Sequence, residues 1–386
     1  MDIKKKFYTM KPDEFKTYLS NLKNDDSCVS IFEDTNPSYF FVVDMEINQA
    51  LLNLNKMQYQ LDIIFDSFTD VQKKMIRQSC LIDEIQSTNK TENIYSTRSD
   101  IFGILKDVAS IHNKKIVSII NSYLHFNKKI DSKESVRMLY DKMMENAYDS
   151  SKDIPDGKIF RKNPVYVSDG LKTAHSGFYP ETEIIKGIEE YIKMTQNTQL
   201  DIYLRLIVSH FMLETIHPFY DGNGRLGRCL MSMSLYQENS TIFSLRLATS
   251  INQEKEKYYD ALKSGRDIHE FGCLNTYILK MCQIFQKGME NIINSLNDKK
   301  IILAFDQQPT FKMTKSEQKV YELLLSASVL TYYGISNDEI MDIIGISKRT
   351  CISVINKFRE NNMLEEIKLG KKQYHRLNVE YLLKDE

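Results

Sequence analysis

Glycine and proline are scarce in this 386-residue chain, at 14 and 7 residues. Both residues punctuate regular structure, so their scarcity disfavours a loop-rich fold and favours long helices with short connections. Net charge is also small, at -1, since 51 basic residues face 52 acidic ones. No global field marks a nucleic-acid coat or a membrane-surface protein. Cysteine is sparse and scattered, at Cys28, Cys80, Cys229, Cys273, Cys282 and Cys351, without a Cys-x-x-Cys pair. That fits reduced thiols in a cytoplasmic protein. No apolar run approaches membrane-spanning length, so no membrane partner is expected. The charged start Met1–Phe7 has no apolar stretch behind it, unlike a secretory signal. The length implies two or three domains, and no internal repeat is visible.

One short stretch is dense in chemistry: His217-Pro218-Phe219-Tyr220-Asp221-Gly222-Asn223-Gly224-Arg225-Leu226-Gly227-Arg228. The apolar residues before it, Leu204, Ile207, Val208, Phe211, Met212 and Ile216, recur at helical spacing. Pro218 disfavours helical dihedrals at His217, so the helix should end there and project His217 into a loop. Gly222 and Gly224 allow a turn whose N–H groups form an anion nest. A second helix, expected from about Arg225, adds free donors and a positive dipole end. Arg225 and Arg228 share a helical face and can grip phosphate oxygens. Asp221 is a ligand of the kind Mg²⁺ accepts beside substrate phosphates. His217 titrates near neutrality and can take a proton from an attacking hydroxyl. A plain turn would not need these flanking residues. A zinc site on His210, Glu214 and His217 is the rival reading, but no second ligand cluster accompanies it.

The segment resembles the signature of the Fic (Fic/Doc) family, His-x-Phe-x-Asp/Glu-Gly-Asn-Gly-Arg-x-x-Arg, at every fixed position. The resemblance implies a mainly α fold, a Fic-type helical core with a β-hairpin flap, and transfer of AMP from ATP to a protein hydroxyl. It implies that His217 is the catalytic base and that Asp221 holds Mg²⁺. It places Gly222, Asn223 and Gly224 at the α- and β-phosphates, and Arg225 and Arg228 at the β- and γ-phosphates. Relatives that move other groups usually lack the Gly-Asn-Gly.

Upstream, Thr88-Asn89-Lys90-Thr91-Glu92-Asn93 is similar to the family's inhibitory pattern, Ser/Thr-x-x-x-Glu-Gly/Asn. The resemblance implies that Glu92 pairs with Arg228 and blocks the γ-phosphate site. Phe160 to Val167, followed by Ser168-Asp169-Gly170, reads as a strand and turn, which the resemblance makes the flap that holds a target segment by strand addition. Tyr258 and Tyr259 lie in a stretch resembling the family's adenine pocket, where aromatic faces suit a base.

The expected organisation is an N-terminal helical region over 1–80, a catalytic core over 81–296 with its inhibitory helix at 84–96, a linker over 297–313, and a separate module over 314–386. That module opens on a capping box, Thr314-Lys315-Ser316-Glu317. Two further helices and a Gly370-Lys371 hairpin make a winged helix-turn-helix pattern. Lys348, Arg349 and Lys357 on its last helix, with Lys368, Lys371, Lys372, His375 and Arg376 on the wing, could meet DNA phosphates.

The leading expectation is an autoinhibited adenylyltransferase using ATP and Mg²⁺. Its partners would be a protein bearing a Tyr, Thr or Ser acceptor, its own chain through self-modification, and a second copy in a homodimer. The alternatives are a nucleotide-sensing transcription regulator that acts through the winged helix, or AMP removal or another phosphate-group transfer on the same site.

Overall fold

The computed structural model describes residues 2–33, 38–106, 114–123, 129–145, 148, 150–168, 173–304 and 312–378. It is mainly helical, as the shortage of helix breakers predicts. The chain divides into two compact units. One comprises Met1–Tyr59, Glu84–Ser96 and Asn113–Glu290; the other comprises Gln60–Asp83, Thr97–His112 and Asn291–Glu386. Among the described residues, no helix is long and apolar enough to cross a membrane.

The first unit is organised around the helix Ile202–Ile216. Asp201 caps it by accepting from the Tyr203 N–H at 2.8 Å. Every one of its residues is buried, so it is enclosed on all sides rather than resting on one face. The helices Glu181–Thr195 and Asn223–Asn239 flank it. Tyr277, on the long helix Asn275–Ala304, donates its hydroxyl to the Ile207 carbonyl at 3.0 Å. The strands Cys28–Ile31 and Tyr39–Val42 pair antiparallel, with Cys28 opposite Val42. Phe40 and Val42 close a small apolar cluster with Ile3, Phe15 and Cys273.

A second hairpin pairs Tyr166–Ser168 with Thr173–Ser176 and carries an irregularity after Val167. Its first strand is shorter than the expected Phe160–Val167 run. The Glu181 carboxylate accepts from the N–H groups of Lys158, Ile159 and Phe160 at 3.1, 2.8 and 3.0 Å. Those donors are therefore committed before any ladder can form. The expected turn at Asp169-Gly170 lies outside the described residues.

In the second unit, the helices Lys315–Leu330, Asn337–Ile344 and Lys348–Glu360 surround a three-stranded sheet in the order Ile335–Ser336, Lys372–Leu377, Leu364–Leu369. The Thr314 capping box forms, and Gly345 turns between helices at φ 74°. The module does not stand apart as 314–386: residues 60–83 belong to the same unit. Ser79 donates to the Leu330 carbonyl at 2.7 Å, and Tyr332 donates to Asp83 at 2.7 Å. The segment read as a linker from 297 begins in helix, since Asn275–Ala304 runs on into it. Much of the module's basic charge is neutralised internally. Lys357 pairs with Glu317 at 2.8 Å, Arg376 with Glu365 at 2.6 Å, and Lys372 reaches Asp338 at 3.7 Å. His375 is 1% exposed, so it cannot decorate the wing surface. Lys348, Arg349, Lys368 and Lys371 remain exposed.

Candidate active site

The Ile202–Ile216 helix ends in a left-handed residue, His217, at φ 50° and ψ 63°, whose N–H still closes on the Leu213 carbonyl at 2.9 Å. Pro218 follows and prevents further helix. The loop then closes on itself. The Asn223 side chain accepts from the Phe219 N–H at 3.0 Å and donates to the Phe219 carbonyl at 2.8 Å. Phe219 stacks on Tyr140 with ring centroids 3.5 Å apart, and the Tyr140 hydroxyl donates to the Asp221 carbonyl at 3.1 Å. Gly222, at φ 79°, is the N-cap of Asn223–Asn239. That conformation favours glycine, and it starts the helix two residues before the expected Arg225. Asn223's side chain thus shapes the loop, and the helix N-terminus presents backbone donors.

Arg225 is buried and reaches Asp221 Oδ2 at 3.2 Å. Its Nε and Nη1 have no hydrogen-bond partner among the described residues. Buried guanidinium donors left open are costly and suit an anionic ligand. The Asp221 side chain is 46% exposed, and its other oxygen accepts from the Gly222 N–H at 2.6 Å. No cluster of three acidic, His or Cys ligands occurs among the described residues. A lone accessible carboxylate fits Mg²⁺, which takes one or two carboxylates and completes its shell from phosphates and water.

Arg228 is 1% exposed and meets Glu92 Oε1 at 2.7 Å. It also donates from Nε to Thr88 Oγ1 at 2.9 Å and from Nη2 to the Thr88 carbonyl at 3.2 Å. The spacing of the upstream pattern follows from this geometry. Thr88 and Glu92 lie one turn apart at the end of the helix Asp70–Thr91, so both face one guanidinium. Asn93 is left-handed at φ 57°, its N–H closes on the Lys90 carbonyl at 3.1 Å, and the Ile94 N–H closes on Asn89 at 2.9 Å. This is a Schellman ending, which asks for Gly or Asn after the glutamate. The helix therefore stops at Thr91 instead of running to 96, and a new helix, Arg98–Leu105, starts behind the Thr97 capping box. Gly224 completes the seat: a Cβ there would overlap Glu92 Oε1 and lie 3.1 Å from Arg228 Nη1.

Burial is the largest influence on the Glu92 carboxyl and works upward. The Arg228 charge and hydrogen bond, helped by Arg225 and Lys255, outweigh it and hold the group below the usual range. Burial pushes the His217 imidazole down to about 4, reinforced by the Arg161 and Arg266 charges. At neutral pH it is uncharged and able to accept a proton. Behind it, burial lowers His210 to about 3 and raises Glu214 to about 7. His210 Nε2 and the Tyr258 hydroxyl lie 2.9 Å apart, and Tyr258 is 2% exposed, so its ring is enclosed in the core. Tyr259 is 46% exposed and is the member of the pair that presents a ring to solvent.

Two groups near the site carry no motif. Glu84 is fully buried and accepts from the Ala248 N–H at 2.8 Å, the Thr249 N–H at 3.0 Å and Ser232 Oγ at 2.9 Å, fixing the segment that carries Glu92 to the core. Arg161 is buried beside His217 and donates to its carbonyl at 2.9 Å. The one sequence signal for Arg161 is a charge placed directly after the apolar pair Ile159-Phe160.

Residues 130–235 match the Fic/DOC family. The match contains the whole loop from His217 to Arg228, while Glu92, Tyr258 and Tyr259 lie outside it. A probable protein adenylyltransferase of Aquifex aeolicus is 28% identical over 114 residues, which is 30% of this chain and 32% of that protein. The protein adenylyltransferase Fic of Drosophila willistoni is 28% identical over 112 residues, 29% of this chain and 21% of that protein. The matched stretch thus spans a third or less of the length of these relatives. Among solved structures, a Fic family protein from Desulfovibrio desulfuricans G20 shares the fold at a TM-score of 0.56 and 16% identity. It aligns over 88% of this chain and 97% of that one. The likeness of fold thus extends beyond residues 130–235.

Proposed function

We propose that this chain is an autoinhibited protein adenylyltransferase. One observation carries the reading: an acidic side chain, Glu92, already occupies an anion seat made by Arg228 and the helix N-terminus at Gly224. Beside that seat are the open donors of Arg225 and the neutral imidazole of His217. Such a site suits a nucleotide polyphosphate laid along the loop. A hydroxyl of a Ser, Thr or Tyr side chain attacks the α-phosphorus and gives its proton to His217. The bond from the α-phosphorus to the bridging oxygen breaks, and pyrophosphate leaves. Asp221 would hold Mg²⁺, which neutralises charge on the phosphates when bound. Arg225 and Arg228 hold the outer phosphates once Glu92 has moved aside. Target proteins, self-modification and a homodimer belong to the same proposal, with the Tyr166–Ser168 hairpin as the flap that receives the target strand. The same proposal reads the module around Lys315–Glu360 as a winged helix, a reading supported by its three helices and three-stranded sheet, with the exposed Lys348, Arg349, Lys368 and Lys371 as the charges that would meet DNA.

The test uses labelled ATP with Mg²⁺ and mass spectrometry of the products. Glu92→Gly is expected to raise AMP incorporation into itself or into lysate proteins, and adding His217→Ala is expected to abolish it. A Glu92→Gly protein that binds ATP yet leaves no adduct refutes the transferase reading.

A further inference from the structure

One buried cation near the site, Arg161, makes no ion pair with a carboxylate among the described residues. Arg161 is fully buried, and its guanidinium is surrounded by backbone carbonyls. Nε donates to the His217 carbonyl at 2.9 Å, Nη1 to that of Asn163 at 2.6 Å, and Nη2 to that of Phe178 at 2.8 Å, with Ile216 at 3.5 Å. Its own N–H donates to the Pro218 carbonyl at 3.2 Å. The last carbonyls of a helix have no intrahelical partner and carry the negative end of its dipole. Here that end is Ile216–His217; the guanidinium serves the His217 carbonyl and shares the Ile216 carbonyl with the Phe178 N–H.

The contacts join three segments: the stretch leading into the hairpin, the residues leaving it, and the end of the His217 helix. Gly177 makes the fit possible. A Cβ at Gly177 would overlap Arg161 Nη2 and would come within 3.0 Å of His217 Cβ and of the Ile216 carbonyl. The Phe178 N–H donates to the same Ile216 carbonyl at 3.0 Å. A left-handed non-glycine residue such as His217 is strained and persists only where its surroundings hold it.

We propose that Arg161 is the positioning residue of His217, clamping the left-handed backbone of that histidine to the base of the hairpin through a seat that Gly177 leaves open. This deepens the transferase reading and rests on it for the role of His217. The clamp sets where the imidazole points relative to a target strand held by the hairpin. Its charge also bears on the imidazole, together with Arg266 and against Glu92 and the Glu214 carbonyl.

The experiment compares Arg161→Met, Arg161→Lys and Gly177→Ala, each in the Glu92→Gly chain. Two readouts are taken: AMP-transfer kinetics, and nuclear magnetic resonance titration of the seven histidines, with His217→Ala assigning the signal. Arg161→Met is expected to lower kcat about a hundredfold, the scale of a slight misplacement of a reacting group, with ATP affinity unchanged. The His217 titration is expected to move up from its position in the Glu92→Gly parent, because one of the charges that lowers it is gone. Lysine keeps the charge without the fork, so Arg161→Lys should restore the titration more fully than kcat. Gly177→Ala should reproduce the loss in kcat by displacing the guanidinium. Folded variants with the parent's kcat and an unmoved His217 titration overturn the proposal. If Arg161→Met does not fold, the Arg161→Lys and Gly177→Ala proteins decide by the same readouts. If the Glu92→Gly parent transfers no AMP, the transferase reading fails on its own, and the histidine titration alone decides the clamp.

Discussion

Replacing Thr88 by valine isolates the latch from the carboxylate that it orients. Thr88 is fully buried, and its Oγ1 accepts from Arg228 Nε at 2.9 Å. Valine keeps the shape and removes the acceptor, leaving a charged donor buried without that partner. A hydrogen bond to a charged group contributes about 1.5–3 kcal/mol. The Thr88 carbonyl, at 3.2 Å from Nη2, and Glu92, at 2.7 Å, remain in place. The closed arrangement should therefore weaken without vanishing. At about 1.4 kcal/mol per tenfold, the equilibrium moves about ten- to a hundredfold toward the open arrangement. Basal AMP incorporation, measured as an initial rate with labelled ATP, should rise by that factor and stop at the rate of Glu92→Gly. Thr88→Ser keeps the hydroxyl and should stay close to the native rate. If Thr88→Val is folded and labels no faster than the native chain while Glu92→Gly is active, the latch is not built as described.

The pH profile follows from the buried imidazole. A base must be deprotonated to act, and His217 is pushed down to about 4, so the acid limb of kcat/KM in Glu92→Gly should fall well below the usual histidine value. Glu92 pulls that value upward, so its removal cannot shift the limb toward neutrality; a limb at about 6.5 would contradict the buried setting. Gly224→Ala should separate inhibition from binding. The added Cβ displaces Glu92 but also fills the backbone seat, so Glu92→Gly with Gly224→Ala should bind ATP at least about tenfold more weakly than Glu92→Gly by calorimetry, the loss of one charged hydrogen bond. Equal affinities would place the phosphates elsewhere.

Much of the site is legible in the sequence because its pieces are local. The loop from His217 to Arg228 is continuous, and its proline and glycines announce a helix end, a turn and a helix start. The Thr88–Glu92 spacing is legible for the same reason, although the helix end at Thr91 is set by the Asn93 turn rather than by a breaker. What stays hidden depends on distant partners. Glu84 looks like any charged helical residue until folding brings Ala248 and Thr249 to it from 164 and 165 residues away. Arg161 lies inside an expected strand, and only folding shows that Glu181 takes the neighbouring N–H groups while the guanidinium turns inward. The two tyrosines are inseparable as sequence neighbours; burial against His210 distinguishes Tyr258 from Tyr259. The basic residues of the C-terminal module read as free charge because their acidic partners, Glu317 and Glu365, are recognisable only in three dimensions.

If Glu92 restrains the chain as proposed, its covalent attachment gives that restraint a particular character. Because Glu92 is tethered, it meets Arg228 at a fixed effective concentration, whereas a soluble nucleotide competes in proportion to its abundance. On that reading restraint would ease as the cell's nucleotide supply rises and tighten as it falls, so a fed cell and a starved one would experience the same chain differently without any change in its sequence.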